Sequence, residues 1–168
     1  IDLFSLRHRI DTEIWNDFAT KPYNASKEHK AKSGVTGKVV EVILNNEYRG
    51  IYSLTEAMDR KELKLKKYDD EDQEFHGQLW KVSSWDKATF WDIDKDYDNT
   101  QETWHAFETK YPDIDDVNPT DYSPLYEAID FVVNSNDETF KKEVGDYFDI
   151  PVLIDYQLFQ ETLKPVDN

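Results

Sequence analysis

The spacing of apolar residues changes near residue 121, and that change limits the fold more than any other feature of the sequence. Upstream, the clearest pattern alternates. "KVVEVILN" puts Val40, Val42 and Leu44 on one face, and "EYRGIYSLTE" answers with Tyr48, Gly50, Tyr52 and Leu54. The runs meet at Asn45-Asn46, residues that tolerate the positive φ of a tight hairpin turn. Downstream, the period becomes 3.6. Ser123 and Pro124 read as N-cap and first helical residue before Leu125, Ile129, Val132 and Val133. Asn136 or Asp137 caps a second helix with Phe140 and Val144 inward and Gly145 at its end. Asp149 and Pro151 start a third, with Val152, Tyr156, Phe159 and Leu163 on one stripe.

Before the hairpin, Leu3, Leu6, Ile10, Ile14 and Phe18 form one face of a helix over residues 3 to 18, followed by a lysine-bearing loop over residues 19 to 37. After it, "DRKELKLKKY" begins as a helical turn or an extended segment and the acidic run "DDEDQE" loops out. "HGQLWKVSSW" and "TWHAFETKY" are shorter strand candidates. Helix, antiparallel strands, then helices is the α+β order, with an antiparallel sheet around the hairpin and helices packed to one side. One domain over residues 1–168 is expected, β-rich over 1–120 and helical over 121–168. The chain opens inside a helical pattern with no initiator Met, so an excised piece of a longer protein is expected.

Charge narrows the function. With 36 acidic residues against 20 basic ones, the net charge of −16 repels phosphate backbones, so nucleic acid is not expected as a partner. The distribution is uneven. Residues 27 to 67 carry ten basic and six acidic side chains, whereas residues 68 to 168 carry seven and 26, so one locally basic surface remains for a small anion. The absence of cysteine excludes disulfides and thiolate chemistry, and no apolar run approaches a membrane span.

Most motifs resolve to ordinary readings. Asp92, Asp94 and Asp96 have the first spacings of a calcium loop, but Tyr97 stands where its turn needs Gly and Thr103 where it needs a bidentate Glu. His8, His29, His76 and His105 are scattered without ligand spacing, and no metal site is expected. The nucleophile elbow, the dinucleotide fingerprint and the P-loop are absent. "LNNEYRGIYSLTEAMDRKELKLKK" stays open between two readings. In one it is a solvent-facing hairpin whose Glu56 is caught by a lysine. In the other Gly50 admits a ligand to the backbone while Arg49, Glu56 and Arg60 line a charged site.

"VEVILNNEYRGIYSLTEAMDRKELKL" resembles the signature of the spore-coat protein CotH family, with Glu41, Asn45, Glu47, Tyr48, Arg49, Gly50, Tyr52, Glu56, Asp59 and Arg60 in order and without gaps. Asn46 stands where the family usually has Gly. "GQLWK" at residues 77 to 81, "FETKYPD" and "LIDYQLFQETLKPVDN" continue the similarity more weakly, with Pro165 in place of a common Asn.

The resemblance implies a diverged, truncated protein-kinase-like fold and transfer of the ATP γ-phosphoryl, with Mg²⁺, to Ser of a partner protein. It further implies Lys81 as the phosphate lysine, Glu56 as the carboxylate that orients it, Arg49 and Arg60 as assisting cations and Asp167 as the catalytic Asp. The family's metal-binding Asn and later Asp would fall past Asn168, so a segment ending there is expected to be inactive alone. A bacterial cell-surface or extracytoplasmic setting goes with the resemblance. The competing expectation is a non-catalytic module that binds a surface protein, or binds carbohydrate through Trp85, Trp91 and Trp104.

Overall fold

Asn45 and Asn46 take φ of 52° and 63°, the left-handed pair of a two-residue hairpin turn. They join β1 (Gly37–Leu44) to β2 (Glu47–Thr55) in an antiparallel pair. The register breaks once: Val42 faces Gly50, but Ile43 faces Tyr48, which leaves Arg49 as the extra residue of a β-bulge. The bulge is why Gly stands at position 50. Its φ is 109°, which side chains disfavour, while a Cβ there would meet nothing within 4 Å. Beyond the bulge Leu44 lies across from Glu47, so the apolar face expected to run unbroken through Leu44 and Tyr48 is interrupted.

This computed structural model describes residues 7–26, 29–69, 71, 74–84, 96–115, 117 and 119–163. Their contacts form two units, one of residues up to Lys64 together with those from Asp149 on, the other from Leu65 to Phe148. The sequence places its division near residue 120. The contacts part elsewhere because the stripe of the last helix finds its partner on the first.

In the first unit, α1 (Arg7–Phe18) packs on α5 (Ile150–Leu163) through rings. Trp15 sets its edge against Tyr156 at 6.2 Å and Phe159 at 5.5 Å, and Phe18 stacks on Phe159 at 6.3 Å. Each such pair contributes about 0.5–1.5 kcal/mol beyond area burial. Two carboxylates fasten α5 to the chain leaving α1: Asp149 accepts the Tyr23 N–H at 2.7 Å, and Asp155 accepts the Thr20 N–H at 2.6 Å. The single-turn α2 (Arg60–Leu63) completes the described elements of this unit, apart from a 3₁₀ turn at Tyr23–Ser26.

The second unit holds β3 (Leu79–Val82), β4 (Thr103–Trp104) and β5 (Phe107–Tyr111) in the antiparallel order β3-β5-β4, with α3 (Ser123–Asn134) and α4 (Asp137–Tyr147). "TWHAFETKY" is therefore two strands and not one. His105 and Ala106 turn between them at φ 45° and 64°. Trp104, Phe107, Tyr122 and Ile129 form the core, with Trp80, Tyr97, Leu125 and Tyr126 packed around it. Ser123, expected as N-cap, is instead the first residue of α3: Tyr122 holds the N-cap place without a side-chain bond, and Asp121 accepts the Ser123 N–H at 2.9 Å and its hydroxyl at 2.7 Å. Asn136 caps α4 as expected, accepting from Glu138 and Thr139. The helix passes through Gly145 and ends at Tyr147, where that ring stacks on Phe131 at 4.1 Å. The α+β class holds, but the one sheet expected is a two-stranded and a three-stranded sheet.

Candidate functional site

β2 ends at Thr55, and the next residue turns its carboxylate back on the chain that enters β1. The Glu56 N–H donates to the Thr36 carbonyl at 3.0 Å. In return Glu56 Oε2 accepts the Thr36 N–H at 2.8 Å and the Thr36 hydroxyl at 2.5 Å. The Lys32 ammonium sits 2.8 and 2.9 Å from the two Glu56 oxygens. On its other side it lies 2.8 Å from Glu62 Oε1, a close ion pair directed away from good hydrogen-bond geometry. One cation is thus held between two carboxylates.

α2 supplies the second carboxylate. Asp59 is its N-cap, accepting the N–H groups of Lys61 at 2.8 Å and Glu62 at 3.0 Å. Lys64 closes the turn with a left-handed φ of 56°. The Asp-Arg pair of the signature therefore opens the turn that carries Glu62 to Lys32.

The electrostatics follow from these contacts. The Lys32 hydrogen bond, then the Thr36 hydroxyl and N–H, lower the Glu56 carboxyl from 4.5 to about 2. Glu56 and Glu62 raise the Lys32 ammonium in turn, and the Glu62 N–H holds the Asp59 carboxyl below its usual range. Lys32 and Glu56 remain more than a third exposed, so both are within reach of a ligand. A groove of about 310 Å³, lined by Thr36, Gly37, Lys38, Leu54, Thr55 and Glu56, runs beside them. It lies at the small end of the range for ligand sites.

The residues singled out in the sequence are distributed as follows. Glu56 has its close cation, but that cation is Lys32, where Lys81, Arg49 or Arg60 was expected. Arg49, displaced by the bulge, pairs with Glu47 at 2.7 Å on an exposed surface. Arg60 is the first residue of α2. Lys81 lies on β3 in the second unit, across from Glu108, whose carboxylate is engaged by Lys110. Asp167 lies outside the described residues, as do Trp85, Trp91, Asp92 and Asp94. Trp104 is 7% exposed and belongs to the core, which removes it as a carbohydrate platform.

The ordinary reading of the sequence, Glu56 caught by a lysine, is what the structure shows, but neither Lys32 nor Glu62 was named for it. Glu62 carried a signal, because Asp59-Arg-Lys-Glu62 has the spacing of a helix-capping box. Lys32 carried none, being one of several lysines in an irregular loop. Among the described residues no three His, Asp or Glu side chains converge as a metal site, and no helix is long and apolar enough to cross a membrane.

The hairpin thus ends in a carboxylate that holds a loop lysine, with a second carboxylate on the lysine's other side. Residues 2–168 match the family model described as CotH kinase protein, and the chain belongs to that family. No curated protein and no solved structure matches it at a significant level.

Proposed function

We propose that this chain serves a kinase of the CotH type, contributing to the binding of the ATP whose γ-phosphoryl passes to Ser hydroxyls of partner proteins. The observation that carries this reading is the Lys32 ammonium fixed between Glu56 and Glu62 at the end of the family signature. Phosphoryl transfer asks little covalent chemistry of a protein and much of its fixed charges. A lysine oriented by a carboxylate meets that need: its charge is assured, its position is set before the ligand arrives, and part of it faces solvent. Arg49 on the bulge and Arg60 on α2, in the same unit as Lys32, remain the further cations for phosphate oxygens.

Asp167 takes the role of the Asp that accepts the proton of the incoming hydroxyl, on the strength of the family resemblance. The cationic groups of residues 27 to 67 suit a triphosphate. Among the described residues no three ligating side chains converge, and Mg²⁺ arriving with a triphosphate would need only one or two carboxylates beside the phosphate oxygens.

Calorimetric titration with MgATP, paired with labelling of a Ser-containing acceptor from radiolabelled ATP, tests the reading. Lys32→Ala removes a charged donor worth about 1.5–3 kcal/mol, which weakens ATP binding roughly 10- to 100-fold. Equal affinity in Lys32→Ala and the parent chain would show that the cation does not serve phosphate.

A further inference from the structure

Lys32 and Thr36, which together engage Glu56, lie on either side of a three-residue segment gripped by α1. The Trp15 indole N–H donates to the Ser33 carbonyl at 2.6 Å. One residue on, the Asn16 side-chain amide donates to the Val35 carbonyl at 2.9 Å. Between these carbonyls lies Gly34, which is buried. A Cβ there would fall 2.5 Å from Asn16 Oδ1 and 2.6 Å from Trp15 Cδ1, so the backbone is pressed against both side chains. Residues 29 to 36 belong to no helix or strand. Their position comes from such contacts and not from a repeating ladder. The grip is anchored in turn, because the Trp15 ring packs on Tyr156 and Phe159 of α5.

We infer that Trp15 and Asn16 are positioning residues for the Lys32–Glu56 site: by holding the carbonyls of Ser33 and Val35 they set the places of Lys32 and Thr36 on either side. No hydrogen bond or ion pair joins the side chains of Trp15 or Asn16 to those of Lys32 or Glu56, so they act through the loop. The inference rests on the proposed function only for what the site does with ATP. The geometric part stands on its own.

The expected effect follows from population. If releasing the loop leaves the paired arrangement occupied for about a tenth of the time, apparent ATP affinity falls about tenfold, since the measured Kd scales inversely with the competent fraction. The groups facing Glu56 are Lys32 and Thr36, with Glu62 beyond Lys32, so the Glu56 carboxyl reports whether they stay in place.

The test uses the full chain and variants that delete hydrogen bonds while sparing bulk. Trp15→Phe keeps a ring against Tyr156 and Phe159 but has no N–H. Asn16→Leu is close to Asn in size, has no donor at any pH and adds no charge. The primary readout is the carbon-detected titration of the Glu56 carboxyl, at about 2 in the parent chain. In the double variant, it is expected to titrate about 1 pH unit higher or more as its donors disperse. MgATP affinity is measured alongside.

An unchanged Glu56 titration in a folded double variant would overturn the inference. Should the double variant fail to fold, the single variants decide it, each expected to shift Glu56 in the same direction by less. Asn16→Leu behaving as the parent chain counts against it too, since packing alone would then account for the residue. If the parent chain binds no ATP, the proposed function fails while the Glu56 titration still decides whether Trp15 and Asn16 position the site.

Discussion

Tyr122 offers the sharpest test of how the second unit is held together. It is fully buried beside Trp104, at a ring separation of 5.7 Å, and burial raises its phenol above the ordinary range. The hydroxyl accepts from Thr109 Oγ1 at 3.0 Å and donates to the Gln101 carbonyl at 3.1 Å. Tyr122→Phe keeps the ring and deletes both bonds. Thr109 is itself only 4% exposed, so its hydroxyl loses its acceptor where water has little access. That orphaned group costs about 1–3 kcal/mol. The Gln101 carbonyl belongs to an exposed residue that water can reach, so losing that bond adds only about 0.5–1.5 kcal/mol. A loss of about 1.5–4.5 kcal/mol is expected, read from urea unfolding of the parent chain and the variant at constant m. The reasoning also fixes a coupling. In a Thr109→Val background the orphan no longer exists, so Tyr122→Phe should cost about 1 kcal/mol less there. A single-variant loss under about 0.5 kcal/mol, or strictly additive losses in the double variant, would refute the account.

Gly145 sits inside α4, and a Cβ there would meet nothing within 4 Å, so Gly145→Ala is expected to raise stability by about 0.5–1 kcal/mol; thermal unfolding with no gain would mean that its freedom is used. The Glu56 carboxyl is lower in the folded chain than its ordinary 4.5, so its stabilising effect is complete above about 4.5 and is lost as pH falls toward about 2. Glu56→Gln is therefore expected to flatten the decline of stability in that window, and unfolding curves at stepped pH with identical slopes for both proteins would contradict it.

What could be read in advance was local. The hairpin turn was visible because two adjacent Asn residues tolerate the φ values they adopt, and the caps at Asp149 and Asn136 were visible because a cap and its helix are neighbours in sequence. Glu56 was visible through the signature and through its place at the end of a strand. The bulge at Arg49 was harder to see, since a single inserted residue leaves the alternation on each side intact. The turn at His105-Ala106 was hidden because the pair lacks the Gly, Asn or Asp that usually marks a two-residue hairpin turn. Lys32 and Glu62 meet across 30 residues of chain, and no spacing rule relates a loop lysine to a carboxylate in a later helical turn.

The return of α5 to α1 has a consequence for how the chain acquires its structure. The bonds that fasten them span 135 and 126 residues of sequence, while residues 65–148 find their partners within one continuous stretch. At roughly 5–20 residues per second, a ribosome delivers α5 only about 1–3 s after it finishes that stretch, but roughly 7–30 s after α1. Long closures also cost entropy before any contact repays them. The middle of the chain can therefore settle first, while Trp15 and Phe18 have only each other and wait for the rings of Tyr156 and Phe159, and it is in this interval that a chaperone would find the nascent protein.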